Sequence, residues 1–109
     1  MDANEYQRLA LRTEAPGRDR TDRLLNAALG LCGEAGEFAD ALKKAHFHAH
    51  PLDEAALRNE LGDVLWYAAL ACDALGVPLG AVMADNLAKL RRRYPEGFST
   101  ERSLNRAEA

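Results

Sequence analysis

A chain of 109 residues, 48% hydrophobic and 28% charged, has the length of one globular domain and no room for a second core. Its formal charge of −3 argues against broad nucleic-acid binding despite the arginine run at 91–93, and no apolar run approaches the ~20 residues of a membrane span. Few aromatics, many alanines and an N-terminus without an apolar signal core ("MDANEYQRLA") together predict a soluble, cytoplasmic, helical protein.

Residues 2 to about 13 read as a short amphipathic helix with Tyr6, Leu9 and Ala10 on one face. Pro16-Gly17 then breaks the chain, and Thr21 or Asp22 can cap a second helix that runs to about Lys44. The connection "HFHAHP" ends in Pro51, which disfavours continued helix, and Asp53 is the expected cap of a third helix reaching Leu75. Gly76 suits its stop, and Pro78 suits the first turn of a fourth helix to about Tyr94. Because no segment alternates as a strand does, the expected fold is an all-α bundle of one short and three longer helices.

Two acidic pairs stand out, Glu34 with Glu37 in "GEAGEFAD" and Glu60 with Asp63 in "NELGDV". The apolar stripe of the second helix reads as Leu24, Ala28, Leu31, Ala35, Phe38 and Leu42. Glu34 lies roughly 100° and Glu37 roughly 160° from its centre. On the third helix the stripe reads as Leu57, Leu61, Val64, Ala68, Ala71 and Leu75, with Glu60 roughly 80° and Asp63 roughly 140° away. Both pairs occupy the same flank, so an antiparallel hairpin brings four carboxylates to one seam. A solvated acidic face is the common meaning of such spacing, but neither pair has the intrahelical Lys or Arg partners of a salt-bridged surface; Lys43 and Lys44 lie beyond it. Gly33, Gly36 and Gly62 adjoin the acids, and each costs about 1 kcal/mol against alanine in a helix, which points to close approach of a partner helix or ligand. Converging carboxylates repel unless a cation lies between them, and an all-oxygen donor set suits a hard ion such as Mg²⁺.

The third helix is apolar nearly all round through "VLWYAALAC", with Trp66 and Leu70 far from its stripe. That pattern predicts a subunit partner, the alternative being that the first helix or the tail covers Trp66. Cys32 and Cys72 read as buried free thiols without a nucleophilic role. The alternation His46, His48, His50 lacks the further ligands of a tetrahedral zinc site and reads as a solvated or packing loop, the lesser alternative being the border of a base pocket with Phe47. A di-iron bundle is rejected because neither acid pair is followed by histidine at the required position.

With those residues in place, the sequence resembles the MazG-like nucleoside triphosphate pyrophosphohydrolases of the all-α NTP pyrophosphatase superfamily. The resemblance rests on "LGLCGEAGEFAD", "ELGDVLWYAAL" and "NLAKLRRRYPEGFS", with "YQRLALRT" and "KKAHFHAH" fitting a small subgroup. It spans Tyr6 to Arg106 and implies one domain over 1–109, its core at about 6–98 and a polar tail at 99–109. It further implies Mg²⁺-dependent hydrolysis of nucleoside triphosphates to monophosphate and pyrophosphate, with Mn²⁺ as a substitute ion. The family's metal-binding acids match Glu34, Glu37, Glu60 and Asp63; where the family motif often begins with two adjacent glutamates, the first is Gly33 here. On this reading Glu37, with Glu34, serves catalysis by accepting a proton from the attacking water. Asn86, Lys89 and Arg93, assisted by Lys43 or Lys44, meet the phosphate charge. The expected assembly is a homodimer or a tetramer of two dimers, with no membrane and no direct nucleic-acid partner. The rival reading is a non-catalytic helical dimer that binds nucleotide or protein.

Overall fold

The computed structural model describes residues 1–106, and these are helical except for short connections. Helix α1 (Ala3–Ala10) runs into a 3₁₀ turn (Leu11–Thr13) and is followed by α2 (Arg20–Phe47), α3 (Glu54–Ala74), α4 (Leu79–Arg93) and a short α5 (Thr100–Leu104). The all-α expectation holds. The tail departs from it in carrying α5, which Ser99 caps by accepting from the Arg102 N–H; residues 107–109 of the expected tail lie outside the described part.

Short acidic side chains start the first three helices by accepting the otherwise unpaired first-turn N–H groups. Asp2 accepts from Glu5 at 2.8 Å and Asp53 accepts from Ala56 at 3.1 Å. The start of α2 differs from expectation, since Asp19 rather than Thr21 or Asp22 is the cap and accepts from Asp22 at 2.8 Å. Asp22 instead lies in the first turn, where its charge complements the helix dipole. Helix α3 stops as predicted at Gly76, whose φ of 78° belongs to the left-handed region. Pro78 stands one residue earlier than expected, as the N-cap of α4.

Helices α2 and α3 form an antiparallel hairpin. Arg20 and Arg23 near the start of α2 reach Ala74 and Asp73 near the end of α3, while Glu37 meets Glu60 at the opposite end. Helix α1 lies on a second side of α3. Gln7, the buried polar residue of the core, donates to the carbonyls of Ala69 and Val77 at 3.2 and 3.3 Å and accepts from the Leu79 N–H at 2.9 Å. One amide therefore meets a carbonyl within α3 and two backbone groups at the α3–α4 turn. Arg23 adds a fork on Glu14, at 2.8 and 2.9 Å, and a third bond to Asp73, which together hold its charge more firmly than usual.

The packing of the helices corrects several expectations. Trp66 does not await a subunit: its indole N–H donates to the Ala10 carbonyl at 3.0 Å and the Thr13 hydroxyl at 2.9 Å, so α1 and its 3₁₀ turn cover it. The buried line of α3 runs through Ala69, Leu70, Cys72 and Ala74, whereas Leu61 and Leu75 are exposed. On α2 the buried face is centred on Ala27, Gly30, Leu31 and Glu34, so Ala28, Ala35 and Leu42 face outward and Cys32 is exposed; only Cys72 is buried, with its thiol pushed up by that burial. Among the described residues nothing comes within contact distance of a Cβ built at Gly33, Gly36 or Gly62. The close approach is at Gly30, where a methyl group would overlap the Tyr67 ring.

The α2–α3 connection closes with a left-handed residue that is not glycine. Ala49 has φ 56°, and the N–H groups of His48 and His50 both donate to the Lys44 carbonyl, at 3.0 and 3.2 Å. A Cβ at that φ costs free energy that glycine avoids. Ala49→Gly is expected to stabilise the fold by about 1 kcal/mol, raising Tm by ~4–8 °C in thermal denaturation at fixed protein concentration; an unchanged or lower Tm would remove the strain argument.

Candidate metal centre

The hairpin register places Glu34 and Glu37 on α2 beside Glu60 on α3, and one carboxylate oxygen from each lies within 4.8 Å of the others. Glu34 sits on the seam between the helices rather than at its flank, because the buried face of α2 is rotated toward it. Oxygen Oε2 of Glu60 is shielded from solvent and has no hydrogen-bond partner among the described residues. The Glu60 carboxyl is pushed up from 4.5 to about 7, first by its contact with Glu34, then by lost hydration, then by Glu37. A shielded acceptor with no donor, beside two further carboxylates whose contact disfavours its ionised form, fits a hard divalent ion.

Two cavities flank this cluster. One, of about 420 Å³, is lined by Glu37 and Glu60 on one side and by Asp40, Lys44, His50 and Asp53 on the others. The second, of about 330 Å³, is lined by Glu34, Asp63, Trp66 and Tyr67. Asp63 thus lines a cavity with Glu34 but lies outside the 4.8 Å set; burial, and after it the Asp63 charge, raises the Tyr6 hydroxyl of α1. Trp66 and Tyr67 meet edge to face with ring centroids 5.1 Å apart.

The cations divide. Lys44 lines the first cavity and pairs with Asp40 at 2.9 Å, while Lys43 approaches the same carboxylate at 3.7 Å and lines neither cavity. That pairing holds the Asp40 carboxyl below and the Lys44 ammonium above their usual ranges. Asp40, three residues beyond Glu37, therefore belongs to an exposed ion pair and not to the cluster. Asn86, Lys89 and Arg93 line neither cavity, because α4 leaves α3 at an angle of 100° and packs against α1 and α3. Arg93 is half-buried, and its Nε has no acceptor among the described residues. Two side chains at the site escaped sequence reasoning. The only signal for Tyr67 is the close approach that Gly30 permits, and that for His50 is the HxHxH alternation, whose lesser reading is a base pocket with Phe47 and not a phosphate contact.

The all-α hairpin gathers carboxylates from its ExxE and ExxD segments into a donor set that a divalent cation would fit. Residues 23–98 match the family model of the MazG nucleotide pyrophosphohydrolase domain, and the chain belongs to that family. It is also similar to the Gene 37 protein of Mycobacterium phage L5, with 37% identity over 83 residues, 72% of this chain and 73% of the relative. No solved structure matches it. Among the described residues no single helix is long and apolar enough to cross a membrane.

Proposed function

We propose that the protein is a divalent-metal-dependent pyrophosphohydrolase that cleaves ribo- or deoxyribonucleoside triphosphates to the monophosphate and pyrophosphate, acting in the cytoplasm to clear the nucleotide pool. The observation that carries this reading is the convergence of Glu34, Glu37 and Glu60 around an unpartnered Glu60 oxygen in a chain of this family. Those three carboxylates would hold Mg²⁺, or Mn²⁺ in its place, and Asp63 borders the same site from the second cavity. When bound, the ion supplies charge neutralisation for the phosphates and acidifies a water. Glu37, the most exposed of the three acids, accepts the proton of the attacking water, with Glu34 beside it. Lys44, held in place by Asp40, meets phosphate oxygens from the wall of the first cavity. The aromatic walls of Trp66 and Tyr67 suit a stacked base in the second.

A second copy of the chain completes this reading. The chain exposes 7947 Å², against about 5,900 Å² for a compact monomer of its mass. Its radius of gyration is 17.1 Å, where about 13 Å is usual. Leu25, Leu29, Leu61, Leu65, Met83 and Leu87 are all at least half exposed. A homodimer, alone or paired into a tetramer, covers that apolar surface. It also gives Asn86, Lys89 and Arg93 a route to the partner's acids, which they lack in their own chain.

The test incubates purified protein with Mg²⁺ and a panel of nucleoside triphosphates and resolves the products by chromatography, with Glu37→Gln alongside. Monophosphate plus pyrophosphate is expected from the native chain. Turnover is expected to fall by about 10²–10⁴-fold in the variant if Glu37 is the general base. No turnover of any triphosphate by folded protein would return the assignment to a nucleotide-binding helical dimer.

A further inference from the structure

The first cavity holds more acceptors than donors, but most of its acceptors are already engaged. Asp40 is paired with Lys44 and Lys43, and Asp53 accepts from the Ala56 N–H at the start of α3. Glu37 and Glu60 belong to the acid cluster. Lys44 is half committed to Asp40, which leaves the imidazole of His50 as a lining group to which nothing hydrogen-bonds among the described residues.

The backbone keeps His50 there. Its N–H closes onto the Lys44 carbonyl at 3.2 Å, so the imidazole is carried on the same turn as the lysine whose ammonium lines the cavity. That closure requires Ala49 at φ 56°, a conformation that alanine adopts only at a cost. His46, two turns of the alternation earlier, stacks edge-on with Phe47 instead, and Phe47 is 74% exposed, so of this group the cavity receives only His50. The two cavities also differ in kind. Two aromatic rings and two carboxylates line the second, with no basic side chain, whereas the first carries Lys44 and His50. A triphosphate laid across the acid cluster therefore has a chemical direction, with its base toward Trp66 and Tyr67 and its phosphate end toward Lys44 and His50.

We propose that His50 is a substrate-contacting residue whose imidazole N–H donates to oxygens of the terminal phosphates, so that Lys44 and His50 together form the subsite for the departing pyrophosphate. The inference rests on reading the acid cluster as a metal–triphosphate centre. It assigns His50 to one end of the substrate and no role in holding the metal.

The test compares the native chain with His50→Ala and His50→Gln, using pyrophosphate and a nucleoside monophosphate as competing inhibitors in the presence of Mn²⁺. A lost hydrogen bond to a charged group predicts that His50→Ala weakens inhibition by pyrophosphate on the order of tenfold and raises KM similarly. Inhibition by the monophosphate and binding of Mn²⁺ alone should stay within about twofold, and His50→Gln, which keeps a donor, should recover part of the loss. Equal weakening of both inhibitors, or of neither, overturns the assignment. His50 is exposed and lies outside the helices, so its truncation removes little packing. Calorimetry of Mn²⁺–pyrophosphate binding separates this claim from the enzymatic one, because it needs no turnover. His50-dependent binding without hydrolysis would support the subsite and sink the proposed activity. Normal hydrolysis with His50-independent binding would do the reverse.

Discussion

Replacing Glu60 with glutamine is expected to stabilise the metal-free protein at neutral to alkaline pH while removing its response to Mg²⁺. In the folded chain the Glu60 carboxyl titrates at about 7 instead of 4.5, pushed up by Glu34, by lost hydration and by Glu37. A carboxyl whose folded value is raised favours the fold fully below its unfolded value, and that contribution is lost as pH climbs through the folded value. The metal-free native chain should therefore lose stability between about pH 4.5 and 7 through this group. The glutamine variant lacks that loss, since its amide carries no charge and can donate to Glu34 or Glu37. Mg²⁺ should raise the Tm of the native chain at about pH 8, because an ion that binds only the folded state stabilises it, and should leave the variant unmoved. Activity should fall by more than the 10–100-fold that loss of an outer-shell partner costs a metal site. Thermal denaturation with chelator or with Mg²⁺, at about pH 5 and about pH 8, reads all but the last. A variant less stable than the native chain at the higher pH without metal, or one that keeps the Mg²⁺ shift, would dissociate the acid cluster from metal binding.

The second large effect is structural. Gly30 lies under the ring of Tyr67, and a methyl at that position would overlap the ring atoms Cδ1, Cε1 and Cζ. The ring is held between the two long helices and against Trp66, so it yields only by leaving its rotamer or by spreading the hairpin. Gly30→Ala should cost about 1–3 kcal/mol despite alanine's better helix propensity. The midpoint should fall by ~4–8 °C for each kcal/mol. Combining it with Tyr67→Ala, which vacates the space, should recover much of that cost, with a coupling energy above about 0.5 kcal/mol. Strict additivity in the double-mutant cycle would mean that the ring is not what the methyl meets. Because Glu34 is one turn from Gly30 and Tyr67 is one turn from Asp63, the same substitution probes whether hairpin spacing sets the acids' separation.

Much of this was legible in the letters where the cause is local. Asp53 caps α3 because a short acid three residues ahead of a free N–H is enough to start a helix, and Gly76 ends it because the left-handed turn needs no partner. The spacing of Glu34, Glu37 and Glu60 likewise survives into three dimensions, since helical periodicity and an antiparallel hairpin bring them together. The cap of α2 was misplaced because Asp19, Thr21 and Asp22 are all competent caps, and only the position of the preceding loop, pinned by the Glu14–Arg23 fork, chooses among them. Trp66 was misread because an apolar helix does not say whose surface covers it, and here α1 does.

The sequence by itself determined the helices, most of their limits and the carboxylate spacing, because these follow from backbone hydrogen bonding and a period of 3.6 residues. Only the tertiary structure decided which face of α2 meets α3, that Asp63 turns to the cavity of Trp66 and Tyr67, that α4 departs at 100° with its cations, and that His50 borders the acids. Those outcomes depend on which surfaces compete for α3. A helix with two apolar sides takes the neighbours that satisfy its buried polar groups, and Gln7 and Trp66 settle that competition through hydrogen bonds to residues that are distant in the chain.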